Sequence, residues 1–313
     1  MIGYISRRVL ATIPVMLIVA ALVFSLLYFT PGDPAAIIAG DQASAEDLAR
    51  IRTALGLDRP FLTRFGEWLW NVLHGDLGTS IFTNLPVSRL IGERLEPTIS
   101  LMILTLVLSL MVAVPMGVIA AWKQGSLLDR AIMGFAVMGF SVPVFVVGYL
   151  LAYIFALQLE WLPVQGYTPL AQGFWPFLQH LILSSIALGT AYVALIARVT
   201  RATMLEVLSQ DYVRTAKAKG LGQRAVLFVH ALKNAAVPIV TVVGIGVAVL
   251  MGGAVVTESV FAIPGLGRLI VDAILRRDYP VIQGVVLLFS LTYVVVNLVV
   301  DLLYTVLDPR IRY

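Results

Sequence analysis

Six long stretches of the chain are almost wholly apolar and contain no Asp, Glu, Lys or Arg: Val9–Phe29, Pro97–Ala121, Ala131–Leu159, Pro176–Ala197, Asn234–Thr257 and Tyr279–Val300. A helix crossing the hydrocarbon core takes about 20 such residues. Each stretch therefore predicts a transmembrane helix, and six of them put both ends of the chain on one side. The third stretch is longer than a crossing needs, which predicts tilt or extension beyond the bilayer. Pro115 and Pro143 predict bends in the second and third. The first stretch follows Arg7-Arg8 in the manner of a signal peptide. It exceeds the roughly 7–15 residues of such an apolar region, and no Ala-x-Ala site follows, so it reads as a retained span.

Polar segments between the stretches predict further elements. Pro31 to Glu96 opens on the turn Pro31-Gly32-Asp33-Pro34. Ser44 with Asp47 then begins a helix that stops at Gly56, and Phe61–Leu73, carrying Trp68 and Trp70, predicts a second helix at the membrane interface. Arg198–Asn234 is basic and predicts helix, tight turn, helix: Asp211 to Lys219, a break at Gly220-Leu221-Gly222, and resumption over Ala225–Val237. Pro264-Gly265-Leu266-Gly267 predicts a turn, after which Leu269, Ile270, Ala273 and Ile274 mark the apolar face of a short helix. That helix either lies at the outer surface as a cap over a pathway or is a linker held by apolar anchors. The predicted organisation is an N-terminal span (1–30), an outer segment (31–96) and a five-helix core (97–313) containing an inner loop at 198–236. The fold class is all-α, polytopic. Gly244, Gly246, Gly252, Gly253 and Ala254 permit close helix contact, either inside the chain or with a second copy of the fold.

Composition supports the membrane assignment and removes several chemistries. The 313 residues are 59% hydrophobic and 13% charged, with mean hydropathy +0.93, against about 25% charged in a soluble domain. There is no cysteine, which excludes disulfides, thiolate metal sites and thiol nucleophiles. With the N-terminus inside, the inner face carries thirteen basic residues and four acids, and the outer face nine basics and thirteen acids. This asymmetry places both termini in the cytoplasm, although Arg276 and Arg277 fall on the other side. The net charge of +4 thus reflects orientation and contact with membrane lipid, not nucleic acid.

The source of energy narrows the function. Ion-coupled carriers hold ionisable groups at membrane depth. Here His180 and Glu258 lie near span ends, Asn297 comes late in the sixth stretch and Asp301 directly follows it. None of the four lysines (Lys123, Lys217, Lys219, Lys233) follows a glycine, so there is no P-loop. H-E-x-x-H and G-x-S-x-G are absent, and His74, His180 and His230 are far apart. The chain shows no enzyme chemistry, no metal site and no cofactor site of its own. If it drives a solute uphill, the energy enters through another polypeptide. The basic inner loop either serves only to hold that side in the cytoplasm or presents a rigid element to such a partner.

Residue spacing speaks for the second reading. Arg214-Thr215-Ala216, then Gly220-Leu221 after three residues, then Leu227, Leu232 and Lys233 resemble the inner loop of ABC-importer permeases, with Arg214 where that family has glutamate. Three further stretches resemble the dipeptide/oligopeptide/nickel/glutathione branch. The first combines Pro31-Gly32-Asp33-Pro34, Leu55-Gly56-Leu57-Asp58-Arg59-Pro60 and His74-Gly75-Asp76-Leu77-Gly78. The second runs from Glu258-Ser259-Val260-Phe261 through Pro264-Gly265-Leu266-Gly267 to Arg277-Asp278-Tyr279-Pro280. The last is Asp308-Pro309-Arg310-Ile311-Arg312-Tyr313.

The resemblance implies a type I importer permease fold in a bacterial inner membrane, paired with a second homologous permease. It also implies two cytoplasmic ABC ATPase subunits, which hold the ATP and magnesium, and an extracytoplasmic substrate-binding protein. It makes Tyr212, Arg214, Thr215, Ala216, Lys217, Lys219, Gly220 and Leu221 the coupling element that docks on an ATPase. Pro264, Gly265 and Gly267 become candidates for an outer gate. The implied cargo is di- or oligopeptides, with glutathione, nickel chelates and oligosaccharides as alternatives. A stand-alone channel or ion-coupled carrier is the competing class.

Overall fold

The computed structural model describes residues 2–29, 44–54 and 58–307. The turn expected at residues 31–34 and the C-terminal residues 308–313 lie outside the described residues. Among the described residues there are helices and no strands, the one extended pairing being an isolated antiparallel bridge between Thr79 and Pro86. The helices in chain order are α1 (Ile2–Phe29), α2 (Ala45–Ala54), α3 (Phe61–Leu73), α4 (Val87–Trp122), α5 (Leu127–Ser141) and α6 (Val144–Leu151). They continue with α7 (Phe174–Leu208), α8 (Asp211–Ala218), α9 (Leu232–Val260), α10 (Leu266–Arg276) and α11 (Tyr279–Leu307). A π-helical segment, Ala152–Gln158, prolongs α6, and another, Ala225–Ala231, leads into α9.

Four segments among the described residues are long and apolar enough to cross a membrane: Val87–Trp122, Phe174–Leu208, Ala225–Val260 and Tyr279–Leu303. Helix α1 contributes an apolar run over Leu10–Leu26. The third predicted span is not one continuous helix. It is broken, with α5 and the α6 segment meeting at 102°. Pro143 explains the break, because it has no N–H for the helical ladder and drives the residue before it out of helical geometry. Val142 accordingly adopts φ −87° and ψ 125°. Pro97, Pro115 and Pro238, by contrast, are carried inside continuous helices.

The chain divides into two compact units, one of residues 1–94 with 269–294 and the other of 95–268 with 295–313. In the first unit, Phe24 of α1 meets Phe61 edge-on at 5.4 Å and lies 5.2 Å from Trp68, so α3 is fastened by its aromatic face. The His74–Gly78 stretch ends α3. Gly75 and Gly78 adopt positive φ, and the Asp76 carboxylate accepts the Gly78 N–H at 2.9 Å. Ser80 donates to the buried Asp278 carboxylate at 2.5 Å, and the Ile81 amide donates to its other oxygen at 3.3 Å.

The second unit packs by close approach at small residues, the device available where hydrophobicity cannot distinguish helix from lipid. Tyr192 of α7 is buried, donates its hydroxyl to the Val243 carbonyl at 2.6 Å, and lays its ring where a Cβ on Gly246 would stand. Gly244 abuts Val300, and a Cβ on Gly253 would lie 2.6 Å from Leu188. These contacts decide the open question over the glycines of α9: three of them pack within the chain, whereas Gly252 has nothing within 4 Å. Helices α4 and α7 close on each other likewise, with a Cβ on Gly117 falling 2.5 Å from Thr200 and one on Gly189 falling 2.8 Å from the Ser109 hydroxyl.

A methyl group at position 246 must displace the Tyr192 ring. We expect Gly246→Ala to destabilise the protein by about 1–3 kcal/mol and Gly252→Ala to be neutral, compared by thermal unfolding of both variants in lipid nanodiscs.

Candidate functional site

The inner loop forms as its spacing predicts. Helix α7 runs on past the hydrophobic stretch to Leu208, and Gln210 precedes the eight-residue α8. Val213 and Ala216 point inward and form a small apolar cluster with Val226, against which Leu208 packs. Two hydrogen bonds close the helix. The Gly220 N–H reaches the Lys217 carbonyl at 3.0 Å, and the Leu221 N–H reaches the Ala216 carbonyl at 3.3 Å. This paired closure requires a left-handed residue after the helix, and Gly220 supplies it with φ +81°.

Of the residues expected at the coupling element, Tyr212, Arg214, Thr215, Lys217, Lys219, Gly220 and Leu221 are exposed together on one end of this motif. Ala216 is buried and anchors the helix from inside. Partial burial pushes the Tyr212 phenol above its ordinary value, so it stays a neutral hydrogen-bonding group. Arg214 makes a single exposed contact with Asp211 at 3.5 Å, a geometry of little energetic weight.

Two acids of the second unit are buried with partners that the sequence did not announce. Asp129 sits on the first turn of α5 with its side chain 5% exposed. It receives Arg201 of α7 through two parallel bonds, at 2.6 Å from Nε and 2.7 Å from Nη2, and the Gly125 N–H at 2.9 Å. Ser126 caps the same helix by accepting the Asp129 N–H. The Ser126-x-x-Asp129 spacing is a helix-start signal, and it could have drawn attention to the acid. Above this pair a cleft of about 220 Å³ lies between α5 and α7, lined by Met133, Ala136, Phe140, Ala194, Leu195 and Arg198.

The second is Glu258, which the sequence placed only near a span end and which is wholly buried in the last turn of α9. It contacts the predicted gate turn directly. A Cβ at Gly265 would fall on its carboxylate, and one at Gly267 would lie 2.5 Å from the Val255 Cα. These glycines are present for close approach, since neither has positive φ. The approach to the turn contains left-handed Ala262 at φ +49°. Of the apolar face predicted after it, Leu269 and Ala273 are buried while Ile274 is 55% exposed.

The loop before α7 also belongs to this end of the second unit. Tyr167 donates to the Glu96 carboxylate at 3.0 Å, and the Gly166 N–H donates to the Phe261 carbonyl at 2.9 Å. Burial pushes the Tyr167 phenol up, an effect the Ser100 contact offsets in part and Glu96 reinforces. His180 is a packed residue, with Nδ1 2.8 Å from the Pro176 carbonyl and its ring against Gly166. Among the described residues no group of three His, Asp or Glu side chains gathers as metal ligands.

Residues 113–313 match the family described as binding-protein-dependent transport system inner membrane component, and residues 1–102 match its N-terminal counterpart. A probable peptide ABC transporter permease of Sinorhizobium fredii (strain NBRC 101917 / NGR234) is 56% identical over 99% of both chains. A glutathione transport system permease of Salmonella choleraesuis (strain SC-B67) is 45% identical over the whole of both. An inward-facing structure of the MetNI methionine ABC transporter superposes with a TM-score of 0.59 at 15% identity, covering 70% of this chain and 96% of that one. That likeness shows the type I importer permease fold.

Breaking the Asp129–Arg201 pair leaves a guanidinium largely shielded from water. Asp129→Asn is expected to cost about 3 kcal/mol, and the double variant Asp129→Asn/Arg201→Gln less than the sum of the two single changes, measured by thermal unfolding in nanodiscs.

Proposed function

Because the chain belongs to the binding-protein-dependent transport system inner-membrane component family, we propose that it is the membrane permease of an ATP-driven importer of di- and oligopeptides. It is a multi-pass inner-membrane protein. Six spans, counting α1 and the bent α5–α6 pair, with both termini in the cytoplasm and residues 31–96 outside, complete the reading. Full-length similarity to a peptide permease carries the choice of cargo. The glutathione relative supports a second reading within the same architecture, since glutathione is itself a tripeptide.

The mechanism follows from a chain that holds no nucleotide site. Two cytoplasmic ATPase subunits bind ATP and magnesium, and their closure moves the exposed end of α8 that docks on them. Tyr212, Arg214, Thr215, Lys217, Lys219, Gly220 and Leu221 form the contact, and Ala216 holds the helix to its own chain. Motion enters α7 directly, because only Ser209 and Gln210 separate it from α8, and passes to α5 through Arg201 and Asp129. The pathway forms with a second permease. Pro264, Gly265 and Gly267 shape the outer gate, through which a binding protein delivers the peptide.

Reconstitution tests this reading. Vesicles holding the chain with its second permease, ATPases and binding protein should accumulate a tritiated tri-alanine only with ATP inside, and the chain alone should accumulate none. Excess glutathione that abolishes the signal would move the cargo to the second reading. Gly220→Val should still assemble but split ATP hydrolysis from uptake, because a β-branched residue cannot hold the left-handed closure. Gly222→Ala, which meets nothing within 4 Å, should behave as wild type. Accumulation by the chain alone would refute the importer assignment.

A further inference from the structure

A carboxylate at the end of a membrane span is costly unless it is well paired, and the partners of Glu258 show what it is for. Its Oε2 accepts the N–H of Arg268 at 2.9 Å, and its Oε1 accepts the hydroxyl of Thr98 at 2.6 Å. The same Thr98 oxygen accepts the N–H of Leu266 at 2.8 Å. Leu266 and Arg268 stand in the first turn of α10, where a helix leaves its leading amides without partners and carries partial positive charge. One carboxylate, acting directly and through one hydroxyl, therefore serves two of those amides. It joins α4, α9 and the start of α10 at a single point.

The surrounding backbone is shaped to that contact. The Glu258 carbonyl accepts the Ile263 N–H at 2.9 Å, and the Ile263 carbonyl accepts the Gly265 N–H at 2.9 Å, folding the chain back over its own helix. With no side chain at 265 or 267, the Pro-Gly-Leu-Gly segment lies directly on the carboxylate and on the Val255 backbone. Displacing this turn would strip the Arg268 N–H from a wholly buried acid and the Leu266 N–H from its partner Thr98, so the turn is held until something supplies replacements.

We propose that Glu258, with Thr98 as its relay, is the positioning residue that latches the outer gate, so that the turn at 264–268 opens only when a loaded binding protein engages the importer. The proposal rests on the importer reading above. Glu258→Gln keeps the shape but removes the charge and leaves an NH2 where the Thr98 hydroxyl needs an acceptor, and Thr98→Val removes the relay while Thr98→Ser preserves it.

The test uses the assembled importer in nanodiscs, reading hydrogen exchange at the amides of residues 266 and 268, and ATP hydrolysis with and without tri-alanine-loaded binding protein. In Glu258→Gln and Thr98→Val, exchange should accelerate about tenfold, the scale set by one lost charge-assisted hydrogen bond. Unstimulated hydrolysis should rise so that the stimulation ratio falls by about the same factor, and Thr98→Ser should match wild type. Unchanged exchange, or a ratio unchanged because both rates move together, overturns the latch. If Glu258→Gln fails to assemble, the Thr98→Val and Thr98→Ser pair decides by the same two readings. Absence of any binding-protein stimulation in the wild-type importer would instead count against the importer reading itself.

Discussion

Hydrocarbon offers no hydrogen bonds, so every polar group carried into it must bring its partner along. The architecture is largely the set of answers to that requirement. Helices satisfy their own backbone, and several serine and threonine hydroxyls along them return to the carbonyl four residues back, as at Ser25, Thr190, Thr241 and Ser290. Those of Thr105, Ser109, Ser185 and Thr200, by contrast, are buried without a hydrogen-bond partner. The few charged side chains of the second unit that do become buried sit within a turn or two of a helix end, where loop amides or an arginine reach them. Asp129 takes the loop solution with Gly125 and Arg201, and Glu258 takes the helix-start solution with Thr98 and Arg268.

Within the second unit the two solutions share elements. Helix α4 holds Thr98 near one end, and nineteen residues later packs Gly117 against Thr200 of α7, one position before Arg201. Contacts this close leave no room for a side chain to yield, because packed interiors are dense and transmit strain. A displacement applied to α7 is therefore passed on to α4 with little loss along the way. Stiffness here comes from glycine, which removes the compressible layer of side chains between two backbones.

The sequence showed what periodicity and punctuation can show. The apolar runs, the Phe61–Leu73 helix and the helix–turn–helix around Gly220 were all legible, because each depends on neighbours a few residues apart. What stayed hidden depends on distance along the chain. Glu258 and Thr98 are 160 residues apart and Asp129 and Arg201 are 72 apart, and no local pattern announces such pairs. The glycines at 265 and 267 were visible as a turn, but the cause of their smallness, an acid lying against them, was not. Pro143 was legible as a bend, whereas the size of that bend depends on the extended geometry of Val142 and the packing of both arms. Ala216 was included in an exposed motif because a linear string of residues does not say which side of an eight-residue helix faces home.

The sharp corner at Val142 and Pro143 has a mechanical meaning. A straight rod hands on an axial push unchanged, but two arms set at 102° behave as a bell crank and return much of a thrust along one arm as sideways travel of the other. With α5 pinned near its base by an arginine, the lever has a fulcrum as well as an elbow. A displacement along one arm is thereby turned into a largely transverse displacement of the other, so the corner couples axial to lateral movement.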